Sequence, residues 1–129
     1  MPLVKISLKK GRGSTFKKHI SLAIHRALVD IFLIPEDDLF QIITEHDEEN
    51  IIYPSSYLGV KHSSDIITIV ITAKQGRTAE MKQALYKTIA NNILKRTGHS
   101  PADVFITLVA NTEEDWSFGN GEAQLIAIK

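Results

Sequence analysis

The sequence predicts an α/β (α+β) protein made of tandem duplicated βαβ units, which form a four-stranded mixed sheet with two helices on one face. Three observations carry this expectation. A strand-like run, a glycine-arginine turn, a helical stripe, a proline and a second strand-like run follow one another twice along the chain. The turns Gly11-Arg12 and Gly76-Arg77 stand 65 residues apart, as do Lys17 and Lys82, while Pro35 and Pro101 stand 66 apart. A helical crossover makes the two strands of each unit parallel and its hand right-handed. Two such units joined side by side leave the second face of the sheet bare and apolar, and self-association is the natural way to bury it. The chain reads as one domain over residues 1–129, with units at 2–45 and 66–110 and a C-terminal hairpin or tail at 111–129.

The elements follow in order. Val4 to Leu8 alternates apolar and polar residues, the mark of a half-buried strand. Gly11-Arg12-Gly13-Ser14 breaks it, and Ser14 or Thr15 is a suitable helix cap. Phe16, Ile20, Ala23, Ile24, Ala27, Leu28 and Ile31 then recur at spacings of three and four, one stripe of a helix that Pro35 stops. Leu39 to Glu45 is β-branched and strand-like. The connection from His46 to Asp65 is long for a small domain, a length associated with function or interface pairing. Ile66 to Thr72 is a nearly continuous apolar run, expected to be buried on both faces. After Gln75-Gly76-Arg77-Thr78 a second helix places Met81, Ala84, Leu85, Ile89 and Ile93 on one stripe and ends at Gly98, with Pro101 beyond. Val104 to Val109 is the closing strand, and Trp116 to Gly121 has hairpin-turn chemistry.

Composition narrows the function. The chain has 129 residues, 43% hydrophobic and 23% charged, enough for a core without staples. Lys plus Arg and Asp plus Glu are 15 each, a neutral balance that argues against wholesale nucleic-acid or anionic-membrane binding. Cysteine is absent, so disulfides, zinc knuckles and thiol nucleophiles are excluded. His19, His25, His46, His62 and His99 show no metal spacing, and no metal site is expected. His19 and His25 lie off the first helix's apolar stripe and are expected to be solvated. No run is long enough to span a bilayer, and no secretory signal pattern opens the chain, which makes the cytoplasm the expected compartment. A non-enzymatic alternative rests on Lys5, Lys9, Lys10, Arg12, Lys17, Lys18 and Arg26, all preceding the first acid at Asp30: a basic end suited to RNA or an acidic partner. Acidic clusters at Glu45 to Glu49 and Glu113 to Asp115 counterbalance it.

The motifs Met1-Pro2-Leu3-Val4, Gly11-Arg12, Gly76-Arg77 and Phe118-Gly119-Asn120-Gly121-Glu122 resemble the tautomerase superfamily. Pro35-Glu36-Asp37-Asp38-Leu39-Phe40-Gln41, Arg77 with the helix after it, and Asp115-Trp116-Ser117-Phe118-Gly119 are similar to its fused, double-length group, which includes malonate semialdehyde decarboxylase. The resemblance runs from Pro2 to about Glu122. It implies that Pro2, freed by removal of Met1, supplies a catalytic amine, and that the active-site aspartate falls on Asp38, with Asp37 the nearest rival. It implies further that the downstream arginine falls on Arg77, that Lys74 is the nearest basic residue to a second family arginine, and that Trp116 and Phe118 form an aromatic pocket wall. Phe40 and Leu39 depart from the tyrosine and arginine of the decarboxylase. Ile67 stands opposite Pro2 inside the chain, so one reactive proline per chain is implied. The fused group implies a homotrimer.

The chemistry these residues permit follows from the amine. An α-amino group titrates at about 7.7–8.0, and proline's ring nitrogen is more basic. Apolar burial and a neighbouring guanidinium both favour its neutral form. A neutral Pro2 suits general acid–base tautomerisation of small keto or enol acids without a cofactor. Arg77, with Lys74, would hold a carboxylate or an enolate. Decarboxylation of the malonate semialdehyde kind, or a hydratase activity with Asp38 activating water, uses the same parts.

Overall fold

The computed structural model describes residues 1–127. Strand β1 (Pro2–Lys9) leads into helix α1 (Gly13–Phe32) and returns as β2 (Gln41–His46). A long connection carries the hairpin β3 (Ser56–Tyr57) and β4 (Val60–Lys61). The second unit is β5 (Ile67–Lys74), helix α2 (Ala79–Thr97) and β6 (Val104–Asn111). The sheet order is β2-β1-β5-β6. Pairing is parallel within each unit and antiparallel between β1 and β5 at the centre. This is the mixed four-stranded sheet of two βαβ units that the repeat predicts.

Alternation decides which face is packed. Val4, Ile6, Leu8, Ile67, Ile69, Ile71 and Ala73 point to one side and are buried against Ile20, Ile24 and Leu28 of α1 and Leu85, Ile89 and Ile93 of α2. Both helices therefore cover one face. The opposite face exposes Ile42, Phe105 and Val109, about half accessible at 49%, 52% and 47%. Threonines at 68, 72 and 107 stand between such residues, so the face is apolar but not greasy throughout. In β5 buried and half-buried residues alternate strictly, which corrects the expectation of burial on both faces: the chain supplies helices for one side only.

Several local expectations also shift. Helix α1 opens at Gly13, whose φ is 82°, so Ser14 and Thr15 lie within it and Arg12 occupies the cap position without a side-chain cap bond. In α2 the Thr78 hydroxyl does cap, accepting from Met81 N, and Gly98 closes the helix at φ 75°. Ala84 is exposed rather than on the buried stripe. Strand β2 starts at Gln41, not Leu39, although the Phe40 carbonyl already accepts from Val4 N at 3.0 Å. Trp116 to Gly121 forms turns instead of a hairpin. A 3-10 turn at Glu113–Asp115 precedes them and a short helical turn, Gln124–Ala127, follows.

The histidine expectation fails too. His25 is 7% exposed, its Nε2 at 2.8 Å from the Glu36 carbonyl, and the Nδ1 of half-buried His19 is buried. His25 sits beside the apolar stripe because the loop after α1 folds back over it. The basic residues of the first unit do not form a single-sign patch. Lys10 pairs with Asp47, Lys17 with Glu45, Arg12 with Asp65 and Arg26 with Glu36. Among the described residues no helix is long and apolar enough to cross a membrane.

Ile89 is fully buried at the contact of α2 with the sheet. Ile89→Ala is expected to lower unfolding stability by about 2–5 kcal/mol, the range for deleting a large core side chain. Urea denaturation with an unchanged slope checks it.

Candidate active site

The antiparallel pairing of β1 with β5 sets Pro2 opposite Ala73 and Leu3 opposite Thr72. The start of the first strand therefore meets the end of β5 and the turn that carries Lys74, Gly76 and Arg77. Pro2 is buried. Asp38 reaches the same place from the first unit: Pro35 to Asp38 is a tight turn closed by Asp38 N donating to Pro35 O at 3.1 Å, which lifts the chain toward β2. The Asp38 carboxylate accepts a hydrogen bond and forms an ion pair with the Met1 ammonium, and the side chains of Met1 and Asp38 are 17% and 16% exposed. Asp37 is exposed and makes no such contact with the chain's amine.

Arg77 is held from two sides. Its Nη1 donates to the Lys74 carbonyl at 2.8 Å, and its guanidinium lies 4.8 Å from the centre of the Phe32 ring. Burial lowers its pKa from the usual guanidinium value, and the charge of Asp38 works in the opposite direction. The guanidinium remains a cation. Lys74 does not stand free beside it: its Nζ lies 3.4 Å from Glu113 Oε1.

The aromatic wall is assembled by the C-terminal segment. Trp116 Nε1 donates to Asn111 Oδ1 at 2.8 Å, and its ring stacks on Phe118 with centroids 5.7 Å apart and planes 11° apart. Phe118 in turn meets Phe40 at 5.9 Å. The 3-10 turn before Trp116 is fixed by Asp115, whose Oδ2 accepts from Thr112 N at 2.8 Å and Thr112 Oγ1 at 2.9 Å. Two clefts result. One of about 510 Å³ is lined by Leu3, Phe40, Thr72, Asn111, Trp116 and Phe118. The other, about 420 Å³, is lined by Met1, Asp37, Asp38, Phe40 and Phe118. Phe40 and Phe118 wall both.

Pro2, Asp38 and Arg77 are thus brought together, with Trp116 and Phe118 along the adjoining cleft. Lys74 lies at the edge, tied to Glu113. Sequence reasoning missed Phe32, Asn111 and Glu113. Phe32 reads as an ordinary helix-end residue, Asn111 as a strand-end residue and Glu113 as one of an acidic cluster, and only the fold sets each behind a site residue.

The second unit carries the counterpart of this site in altered form. The strand registers superimpose the units at an offset of 65, as Val4 pairs with Gln41 and Ile69 with Ile106. Asp103 is then the counterpart of Asp38, and Arg12 of Arg77. Where Asp38 meets a chain terminus, Asp103 meets a continuous chain: its oxygens accept from Ser63 N at 2.8 Å and Ser63 Oγ at 2.5 Å, and it is 5% exposed. Asp65 takes up Arg12 at 3.8 Å. The polypeptide entering β5 fills the position that an amine occupies in the first unit.

Comparison with known proteins agrees with this architecture. Family models described as tautomerase enzyme match residues 2–60 and 38–119. A "probable tautomerase YusQ" of Bacillus subtilis (strain 168) is 43% identical over 98% of this chain and 99% of its own. The crystal structure of FG41 malonate semialdehyde decarboxylase inhibited by 3-bromopropiolate is similar with a TM-score of 0.91 and 37% identity, covering 97% of this chain and 95% of that one. A second malonate semialdehyde decarboxylase superimposes with a TM-score of 0.91 at 32% identity, covering 97% and 96%. A fused 4-OT symmetric trimer shares the fold at TM-score 0.79 and 20% identity, covering 98% and 99%. The chain belongs to the tautomerase family.

Two expectations concern the aromatic wall. Asn111→Ala removes the acceptor of the chain's single tryptophan, and a red shift of intrinsic fluorescence is expected as the indole edge loosens into water. The Asp115 carboxylate is held below the usual aspartate range by the Thr112 backbone and hydroxyl bonds. A lowered folded pKa means the cap is fully present above the unfolded value and is lost as pH falls through the folded one. The same fluorescence change, followed in a titration from neutral into the acid range, is expected only below that value and absent in Asp115→Asn.

Proposed function

We propose that this chain is a cofactor-free keto–enol tautomerase of small carboxylated enol and keto acids, with Pro2 as general acid and base once Met1 is removed. The observation that supports it is the placement of the chain's amine against Asp38, near a half-buried arginine and at the mouth of an aromatic cleft. Removing Met1 moves the amine one residue inward, about 3.8 Å by Cα spacing, into the buried position opposite Ala73.

The three groups divide the work. Burial and the Arg77 cation favour the neutral ring nitrogen, while Asp38 favours and orients its protonated form. The enol hydroxyl proton passes to the Pro2 nitrogen as the C–O bond becomes C=O. The electron pair of the carbon–carbon double bond then takes a proton back from the Pro2 ammonium at carbon. Arg77 holds the substrate carboxylate and the negative charge that develops on oxygen. Phe40, Trp116 and Phe118 exclude water from the apolar part. The bare sheet face supports self-association, and we read the assembly as a homotrimer.

A second reading, decarboxylation of malonate semialdehyde, is favoured by the two decarboxylase structures at 37% and 32% identity. It is placed second because Lys74, the nearest basic residue to a second arginine position, is engaged by Glu113.

Pro2→Ala is expected to lower kcat/KM for ketonisation of the enol of phenylpyruvate and of 2-hydroxymuconate by about 100-fold, within the range for losing a general acid–base group. Mass spectrometry should find Met1 absent from the active protein. Wild-type rates in Pro2→Ala would remove the proline from the mechanism. Carbon dioxide release from malonate semialdehyde faster than either ketonisation would reverse the order of the two readings.

A further inference from the structure

We infer that His25 is a positioning residue for the acidic member of the site, acting through the turn that bears Asp38; the inference rests on the assignment of Pro2 and Asp38 above. His25 lies in the body of α1 and its side chain is buried to 7% exposure. Its Nε2 is 2.8 Å from the Glu36 carbonyl oxygen. A carbonyl only accepts, so Nε2 carries the proton and donates. Glu36 is a central residue of the turn whose last residue is Asp38, closed by the bond from Asp38 N to Pro35 O. On the other side the chain is fixed at Phe40, whose carbonyl accepts from Val4 N at 3.0 Å as β2 joins β1. Asp38 is therefore suspended between two pinned carbonyls, those of residues 36 and 40. One pin is part of the sheet. The other is His25.

A neighbouring contact does not replace it. Arg26 Nη2 meets both carboxylate oxygens of Glu36 at 2.8 Å, but the pair is 44% and 66% exposed and is screened by solvent. It also holds the side chain of Glu36 and not the backbone that sets the turn. Helix α1 orients the other partner too, since its last residue, Phe32, lies under the Arg77 guanidinium. One face of one helix thus fixes the separation between the carboxylate and the cation that flank the amine.

The test compares His25→Phe, which fills the space but cannot donate, with His25→Gln, whose amide can. Wild type, both variants and Pro2→Ala are assayed for ketonisation of the enol of phenylpyruvate, with circular dichroism and thermal melting as the measure of folding. The Pro2 nitrogen is titrated directly by NMR in proline-¹⁵N-labelled protein lacking Met1. The charged groups around that nitrogen are Asp38 and Asp37 from the turn and Arg77 and Lys74 from the β5–α2 connection, with Glu113 behind Lys74. Those around His25 are Arg26, Asp30 and Glu36. Loosening Asp38 withdraws the charge that favours the protonated amine, so the Pro2 titration midpoint should move down in His25→Phe, by about half a unit. We expect kcat to fall about tenfold in a folded His25→Phe protein with KM within twofold, as misplacement of a reacting group requires, and His25→Gln to recover most of both changes. A folded His25→Phe with wild-type kcat and an unmoved midpoint would overturn the inference, as would a loss that His25→Gln recovers no better and that leaves the midpoint in place. Full activity in Pro2→Ala would instead overturn the assigned role of Pro2, and the ¹⁵N midpoint alone would then decide for or against His25.

Discussion

The antiparallel pairing of β1 with β5 is the constraint on which the rest of the molecule depends. Each βαβ unit, taken alone, has an edge beside its first strand and a helix over half a sheet. Joining the two first strands removes both edges at the centre and brings α1 against α2, so that Ile6, Ile69, Ile24 and Ile89 share one core. The same pairing runs the chain's first residues past the last residues of β5. The amine, the aspartate turn and the Gly76-Arg77 turn meet there because an antiparallel partner ends where its neighbour begins.

That geometry occurs twice by symmetry but carries an amine only once. At the end of β1 remote from the site the corresponding aspartate, Asp103, is buried and satisfied by Ser63, and the corresponding arginine, Arg12, stacks on Phe16 at 3.9 Å and pairs with Asp65. A buried carboxylate needs donors. In the first unit the terminal ammonium supplies one. In the second, the connection from β2 to β5 supplies a backbone N–H and a hydroxyl. The length of that connection, 20 residues from His46 to Asp65, has a structural use here: it reaches across to close the duplicate site.

The groups behind the site explain why its chemistry is held in place. Arg77 is desolvated yet kept by a carbonyl and an aromatic face, an arrangement that fixes direction as well as charge. The indole of Trp116 is fixed by Asn111, and its turn by Asp115 and Thr112. The cleft beside them is lined by Leu3, Phe40, Trp116 and Phe118 together with Thr72, Asn111, Asp115 and Ser117.

The duplicated order of elements, the helical stripes and the turns at Gly11 and Gly76 were legible in the sequence because they are local: periodicity, positive-φ glycines and prolines act within a few residues of themselves. So were Pro2, Asp38, Arg77, Trp116 and Phe118 as candidates, through motifs that survive as short strings. The errors have one cause. His25 was read as solvated, Ile66 to Thr72 as buried on both faces and Trp116 to Gly121 as a hairpin, and each outcome depends on what another segment lays over the residue. The sequence by itself determined two βαβ units and the candidates Pro2, Asp38 and Arg77. Only the tertiary structure decided which aspartate meets the amine, which arginine is partly desolvated near that aspartate and which copy of the site is closed, because those choices are made by contacts between segments 35 to 75 residues apart.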